Sequence, residues 1–99
     1  MQVKSNIDIE NIRRMSEIAE IYEITKQYEK SKKYHENILE ICDAYPKNEE
    51  ILQYKIQSLN YLNKSYKSLE TTNELLNLNP NNITALFNIV RYLKEKQYA

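Results

Sequence analysis

The sequence predicts an all-α protein of about five helices paired into antiparallel hairpins, and three observations carry that reading. The 99 residues include no Gly and only two Pro, with 41% hydrophobic and 28% charged residues. That composition favours an ordered helical chain over a disordered one. Apolar residues recur at helical spacing along nearly the whole length. The two prolines, Pro46 and Pro80, stand 34 residues apart, and each opens a similar run, Pro46-Lys47-Asn48 and Pro80-Asn81-Asn82. A fixed period of about 34 residues is one of the lengths at which helical hairpins repeat.

The helices are expected over about 8–25, 28–44, 49–62, 65–78 and 83–97. In the first, Ile12, Met15, Ile18, Ala19 and Tyr22 form one apolar stripe, with Asp8, or Ser5 with Asp8 three residues on, as the cap. The second carries Tyr28, Ser31, Tyr34 or His35, Ile38 and Ile41. Pro46 and Pro80 lack an amide proton and disfavour helical geometry at the residues before them, Tyr45 and Asn79. Asn48 and Asn82 can then cap the next helices through their side-chain oxygens, and Glu49 and Glu50 place negative charge where the helix dipole favours it. The third helix buries Leu52, Ile56, Leu59 and Leu62; the fourth, Leu69, Thr72, Leu75 and Leu76; the fifth, Leu86, Ile89, Val90 and Leu93. Asn63-Lys64-Ser65 reads as a turn, with Ser65 as the cap of the fourth helix. Thr25-Lys26-Gln27 contains no Gly, Pro or Asn, so one continuous helix over 8–44 stays open as an alternative. A break there is preferred, because the apolar stripe changes phase and one straight helix would smear it around the cylinder.

Lys+Arg and Asp+Glu both number 14, a zero net charge that speaks against a nucleic-acid-binding domain. No apolar run approaches the ~18 residues of a membrane span, and Met1-Gln2-Val3-Lys4-Ser5 leads on without the apolar core of a signal peptide. A single cysteine, Cys42, makes no internal disulfide. The expected place is therefore a reducing one, the cytoplasm or, in a eukaryote, the nucleus, and the chain is not expected to be secreted. His35, the only histidine, cannot build a metal site or pair with a nucleophile, and is read as packing between the first two helices. Without Gly there is no phosphate-cradling loop. No cofactor is expected and no catalysis, since no convergent polar pocket is visible.

From Asn79-Pro80-Asn81-Asn82 through Ala85-Leu86-Phe87-Asn88-Ile89-Val90 to Tyr92-Leu93-Lys94, the chain resembles the tetratricopeptide repeat family, with its inter-repeat proline turn and following first helix. The middle repeat supplies Leu52, Ile56 and Leu59, then Ser68 at a small position and Leu75 before Pro80. The first matches through Met15, Ile18, Ala19 and Tyr22, then Tyr28, Ser31 and Ile38, if its second helix is about one turn longer than usual. Ile56 and Val90 depart from the family, which has a small residue there, and an unrelated five-helix bundle is the alternative. The resemblance, over residues 12–99, implies a right-handed superhelical stack of antiparallel helix hairpins, an α-solenoid. Its single domain would hold one repeat at about 8–47, a second at about 48–81, and a half repeat or capping helix at about 82–99.

The family's first helices line a concave groove that binds an extended or helical peptide. Carried over residue by residue, that groove holds Glu17 and Glu20, then Gln53, Tyr54, Gln57 and Tyr61, then Phe87, Asn88 and Arg91. Tyr54, Tyr61 and Phe87 offer rigid contact area and Arg91 a bidentate charge, while Gln53, Gln57 and Asn88 can hydrogen-bond a peptide backbone. The competing reading of Tyr54 and Tyr61, in a chain with nine Tyr, is packing between helices. Some members grip the C-terminal carboxylate of heat-shock chaperones; those positions read Ser16, Glu20, Tyr54, Thr84 and Asn88, and only Asn88 is of a gripping type. The resemblance thus implies a non-catalytic adaptor or scaffold for a protein or peptide partner, binding neither nucleic acid nor membrane. The alternative is a structural or assembly subunit, or part of a longer array, that uses its ends or convex face and self-associates as a homo-dimer or larger assembly.

Overall fold

The computed structural model describes residues 6–98, which form α1 (Asn6–Ile24), α2 (Tyr28–Asp43), α3 (Glu49–Tyr61), α4 (Ser65–Leu78) and α5 (Ile83–Tyr98). No strand occurs among the described residues. Because α1 already runs from Asn6, Asp8 lies inside the helix and is not its cap; Ser5 lies outside the described residues.

The break after α1 is real, and its chemistry is not the usual Gly or Asn. Lys26 takes the left-handed conformation at φ 64°. Its N–H reaches the carbonyl of Glu23 at 3.0 Å, and the N–H of Gln27 reaches that of Tyr22 at 2.7 Å. This is the paired closure that ends many helices and satisfies two of the last carbonyls. Thr25 adds a bond from Oγ1 to the Ile21 carbonyl at 2.8 Å, and Gln27 donates back to that hydroxyl at 3.0 Å. The second hairpin uses the same turn: Asn63 at φ 60°, with N–H bonds from Asn63 to Asn60 and from Lys64 to Leu59. Lys64, not Ser65, therefore occupies the cap position of α4, and no side chain caps it.

The proline turns behave as the sequence predicts. Asn79 is extended at φ −151° and ψ 100° before Pro80. Asn48 Oδ1 accepts the N–H of Ile51 at 2.9 Å, and Asn82 Oδ1 accepts that of Ala85 at 3.0 Å. The longer first hairpin is resolved differently from a whole extra turn: α2 has 16 residues against 14 in α4, and the following loop takes the rest.

Each helix packs on its sequence neighbour, and α1 also meets α3. The extents of 43 × 35 × 18 Å describe a slab, whose thinnest dimension is close to two helix diameters of about 10 Å each. Two apolar clusters hold it. Ile12, Ile38 and Cys42 of the first hairpin receive Ile51 from α3, and Leu52, Ile56 and Leu75 of the second receive Ala85 from α5. Each fully buried Ile or Leu contributes about 1.5–3 kcal/mol. Small residues let α1 and α2 approach closely, where the buried Ser31 hydroxyl donates to the Ala19 carbonyl at 2.9 Å. Among the described residues no helix is long and apolar enough to cross a membrane.

The fifth stripe is the main departure. Leu86, Val90 and Leu93 are 43%, 49% and 58% exposed rather than buried. Instead α5 turns Ala85 and Asn88 inward, and no described helix covers its other flank.

Candidate partner-binding cleft

Residues three and four apart share one face of a helix. On α3 that face presents Glu50, Gln53, Tyr54, Gln57 and Asn60; on α5 it presents Thr84, Phe87, Asn88 and Arg91. Together they enclose an open cleft of about 530 Å³, with Ile56 also lining it. Six residues of the sequence-derived groove meet here: Gln53, Tyr54, Gln57, Phe87, Asn88 and Arg91. Glu50, Asn60 and Thr84 were not among them, although continuing the same three-and-four spacing from Gln53, Gln57 and Asn88 reaches all three.

The six have unequal freedom. Phe87 is 69% exposed. Arg91 is exposed and lies 3.4 Å from Glu95 along its own helix. Tyr54 is half-buried against the first apolar cluster. Burial raises its phenol pKa above the ordinary value, helped by the carboxylates of Glu50 and Glu17, while Arg13 opposes them. The Oε1 of Gln53 accepts from Asn82 at 2.8 Å, and that of Gln57 accepts from Ser16 at 3.2 Å. What these two side chains offer a ligand is therefore their N–H groups.

Asn88 belongs to the architecture of the cleft wall. Its Oδ1 accepts from Asn60 at 2.8 Å, and its Nδ2 donates to Ser68 Oγ at 3.0 Å and Thr72 Oγ1 at 2.8 Å. Ser68 in turn donates to Asn60 Oδ1 at 2.6 Å, and Thr72 to the Ser68 carbonyl at 2.8 Å. Every member is satisfied, which lets a polar cluster sit at an interface of three helices without penalty.

Glu20 and Tyr61 lie in a neighbouring hollow of about 190 Å³ with Ser16, Glu23, His35 and Gln57. Gln57 is common to both. Glu17 lines neither of these two; it is exposed on α1, and its charge reaches Tyr54. His35 is not held between α1 and α2 alone: its Nδ1 lies 2.8 Å from the buried Ser58 Oγ of α3, and its ring stacks on Tyr61 at 4.3 Å. Tyr61 is thus a packed wall of the hollow, which fits the packing alternative for this residue. A further hollow of about 440 Å³ gathers Lys64, Lys67 and Lys96 with Tyr66 and Tyr92, so the zero total conceals a local basic cluster.

The comparisons with known proteins come out blank. No family model, curated protein or solved structure matches this chain. Among the described residues no group of three or more His, Cys, Asp or Glu is placed to hold a metal ion. Burial pushes the Cys42 thiol up to about 12, so it stays protonated at neutral pH.

Burial lowers the pKa of His35 below its ordinary value. The unfolded chain then takes up the proton first, so stability is fully present above about pH 6.5 and is lost as pH falls through the folded pKa. His35 is the one histidine, and no other side-chain type ordinarily titrates between pH 7.5 and 5.5. The urea midpoint should drop between these two pH values in the wild type, and His35→Gln should abolish most of that drop. An equal drop in both proteins would assign the effect elsewhere.

Proposed function

We propose that the chain is a non-catalytic interaction module that holds a partner peptide or helix in the cleft between α3 and α5. The observation that carries this reading is the company Phe87 keeps. A large, 69% exposed aromatic stands over a 530 Å³ hollow beside the Arg91 guanidinium, facing Tyr54 and the glutamine amides of α3. Exposed aromatics and arginines at the mouth of a formed hollow are the side chains that dominate binding energy at protein interfaces. Charge supplies an orientation. Glu17 and Glu20 lie toward α1, Glu50 lies on α3, and Arg91 lies on α5. A ligand with basic groups toward α1 and an acidic or C-terminal group toward Arg91 matches that gradient.

The hairpins are best understood as tetratricopeptide-like repeats stacked in a right-handed superhelix. Support comes from the twin asparagine caps after the prolines and from the way Ile51 and Ala85, 34 residues apart, each insert into the preceding hairpin. In that reading the cleft is the concave face.

Phe87→Ala/Arg91→Glu is the cleaner test, because both side chains are exposed whereas Tyr54 also packs in the core. Affinity capture from the lysate of the source cell should retain a partner on the wild type and lose it by at least about tenfold on the double variant. The circular dichroism of the two should coincide. Equal capture by both would remove the cleft from consideration.

A further inference from the structure

We propose that the open flank of α5 docks on the same flank of a second copy of this chain, with the two α5 helices antiparallel. Ile83, Leu86, Val90 and Leu93 form this flank and are 64%, 43%, 49% and 58% exposed. None of them lines the cleft, so the inference concerns a different face from the proposed peptide site.

The chain itself indicates what such a flank is built to meet. Leu52, Ile56 and Leu59 stand 34 residues before Leu86, Val90 and Leu93, and they are 1%, 2% and 2% exposed. They are buried within the α3–α4 hairpin, where Leu75 of α4 packs in one cluster with Leu52 and Ile56. The same positions on α5 thus carry the same kind of side chains with the covering helix absent from the described residues. A helix is the complement of this surface.

The spacing identifies whose helix it is. Residues 83, 86, 90 and 93 are separated by three, four and three, an order that reads the same in both directions. The four residues fall at the alternating three-and-four spacing of a seam between paired helices. A twofold axis across the middle of this seam would set Ile83 against Leu93 of the second copy, and Leu86 against Val90. The surface is then its own complement, as an isologous interface requires.

Charge decides the direction. Lys94 lies at the C-terminal end of the seam, whereas Lys96 turns to the hollow it shares with Lys64 and Lys67. Parallel helices would bring the two Lys94 ammonium groups together at one end, whereas antiparallel helices place them at opposite ends of about 15 Å of seam. The zero net charge leaves no overall repulsion between copies. Four large aliphatic side chains per copy make a small interface beside the roughly 1,200–2,000 Å² of standard stable ones. The dimer is therefore expected in the micromolar range.

Sedimentation equilibrium of the full chain, from about 5 to 500 µM so as to bracket that range, should show the mass rising from monomer to dimer. Leu86→Glu/Leu93→Glu should stay monomeric over the same range with unchanged circular dichroism, because both side chains are exposed. A wild type that stays monomeric to the highest concentration overturns the proposal, and so does a double variant that dimerises equally well. Orientation is read by oxidising a mixture of Ile83→Cys and Leu93→Cys proteins, in which the buried Cys42 does not compete. The mixed disulfide should dominate; predominance of like-with-like disulfides would overturn the antiparallel arrangement.

Discussion

Leu75→Ala should lower the unfolding free energy by about 2–5 kcal/mol, the range for emptying a fully enclosed leucine site. Leu75 has no exposed surface and packs with Leu52, Ile56 and Ala85, so it joins α3, α4 and α5 at one point. Those three neighbours sit on two different helices, α3 and α5, and local collapse could close the void only by shifting both. Against a total stability of about 5–15 kcal/mol, that loss is a large share. With a urea slope of about 1–3 kcal/mol/M, the midpoint should fall by about 0.7–5 M. Leu78, three residues on but 51% exposed, provides the internal contrast: its replacement by Ala should stay within about 0.5 kcal/mol. Similar midpoint shifts for the two leucines would refute the packing assigned to α4.

Asn88→Ala should also be costly, by about 1–3 kcal/mol for the part-buried donor it strands, with the loosening of α5 in addition. The donor is Asn60 Nδ2, which loses its acceptor at 2.8 Å. Asn88→Asp is the sharper probe because it preserves shape. Both hydroxyls facing position 88 already spend their protons elsewhere, Ser68 on Asn60 Oδ1 and Thr72 on the Ser68 carbonyl. A carboxylate would therefore point oxygen at oxygen, and only a donor fits. The aspartate variant should be at least as destabilised as the alanine variant at pH 7, measured by urea titration. An aspartate variant as stable as wild type would mean the hydroxyls reorient freely.

The helices after Pro46 and after Pro80 were legible because their signals are local: a proline that forces the preceding residue out of helical geometry and an asparagine one residue past the next. The break at Lys26 was harder to see. A lysine held left-handed costs about 1–2 kcal/mol, and it is held by bonds from Thr25 and Gln27, residues with no strong turn preference of their own. For the cleft, the residue-by-residue mapping from the tetratricopeptide resemblance named Gln53, Tyr54, Gln57, Phe87 and Arg91, which line one hollow. It did not reveal that Asn88 is spent inside the protein, because its partners Ser68 and Thr72 lie 20 and 16 residues away on another helix. Nor did it reveal the state of Leu86, Val90 and Leu93. An apolar stripe says which side of a helix avoids water, and only the three-dimensional arrangement says whether anything is there to cover it.

The insertion of Ile51 into one hairpin and of Ala85 into the next also bears on how such a chain can change over generations. Each junction is made by the first helix of the incoming unit and asks almost nothing of units further away. A duplicated hairpin would bring its own inserting residue, its own asparagine cap and its own proline, and would meet a neighbour already shaped to receive it. On the proposed repeat reading, length in this architecture would be an inheritable variable, open to addition or loss in steps of one hairpin while the existing units keep their form.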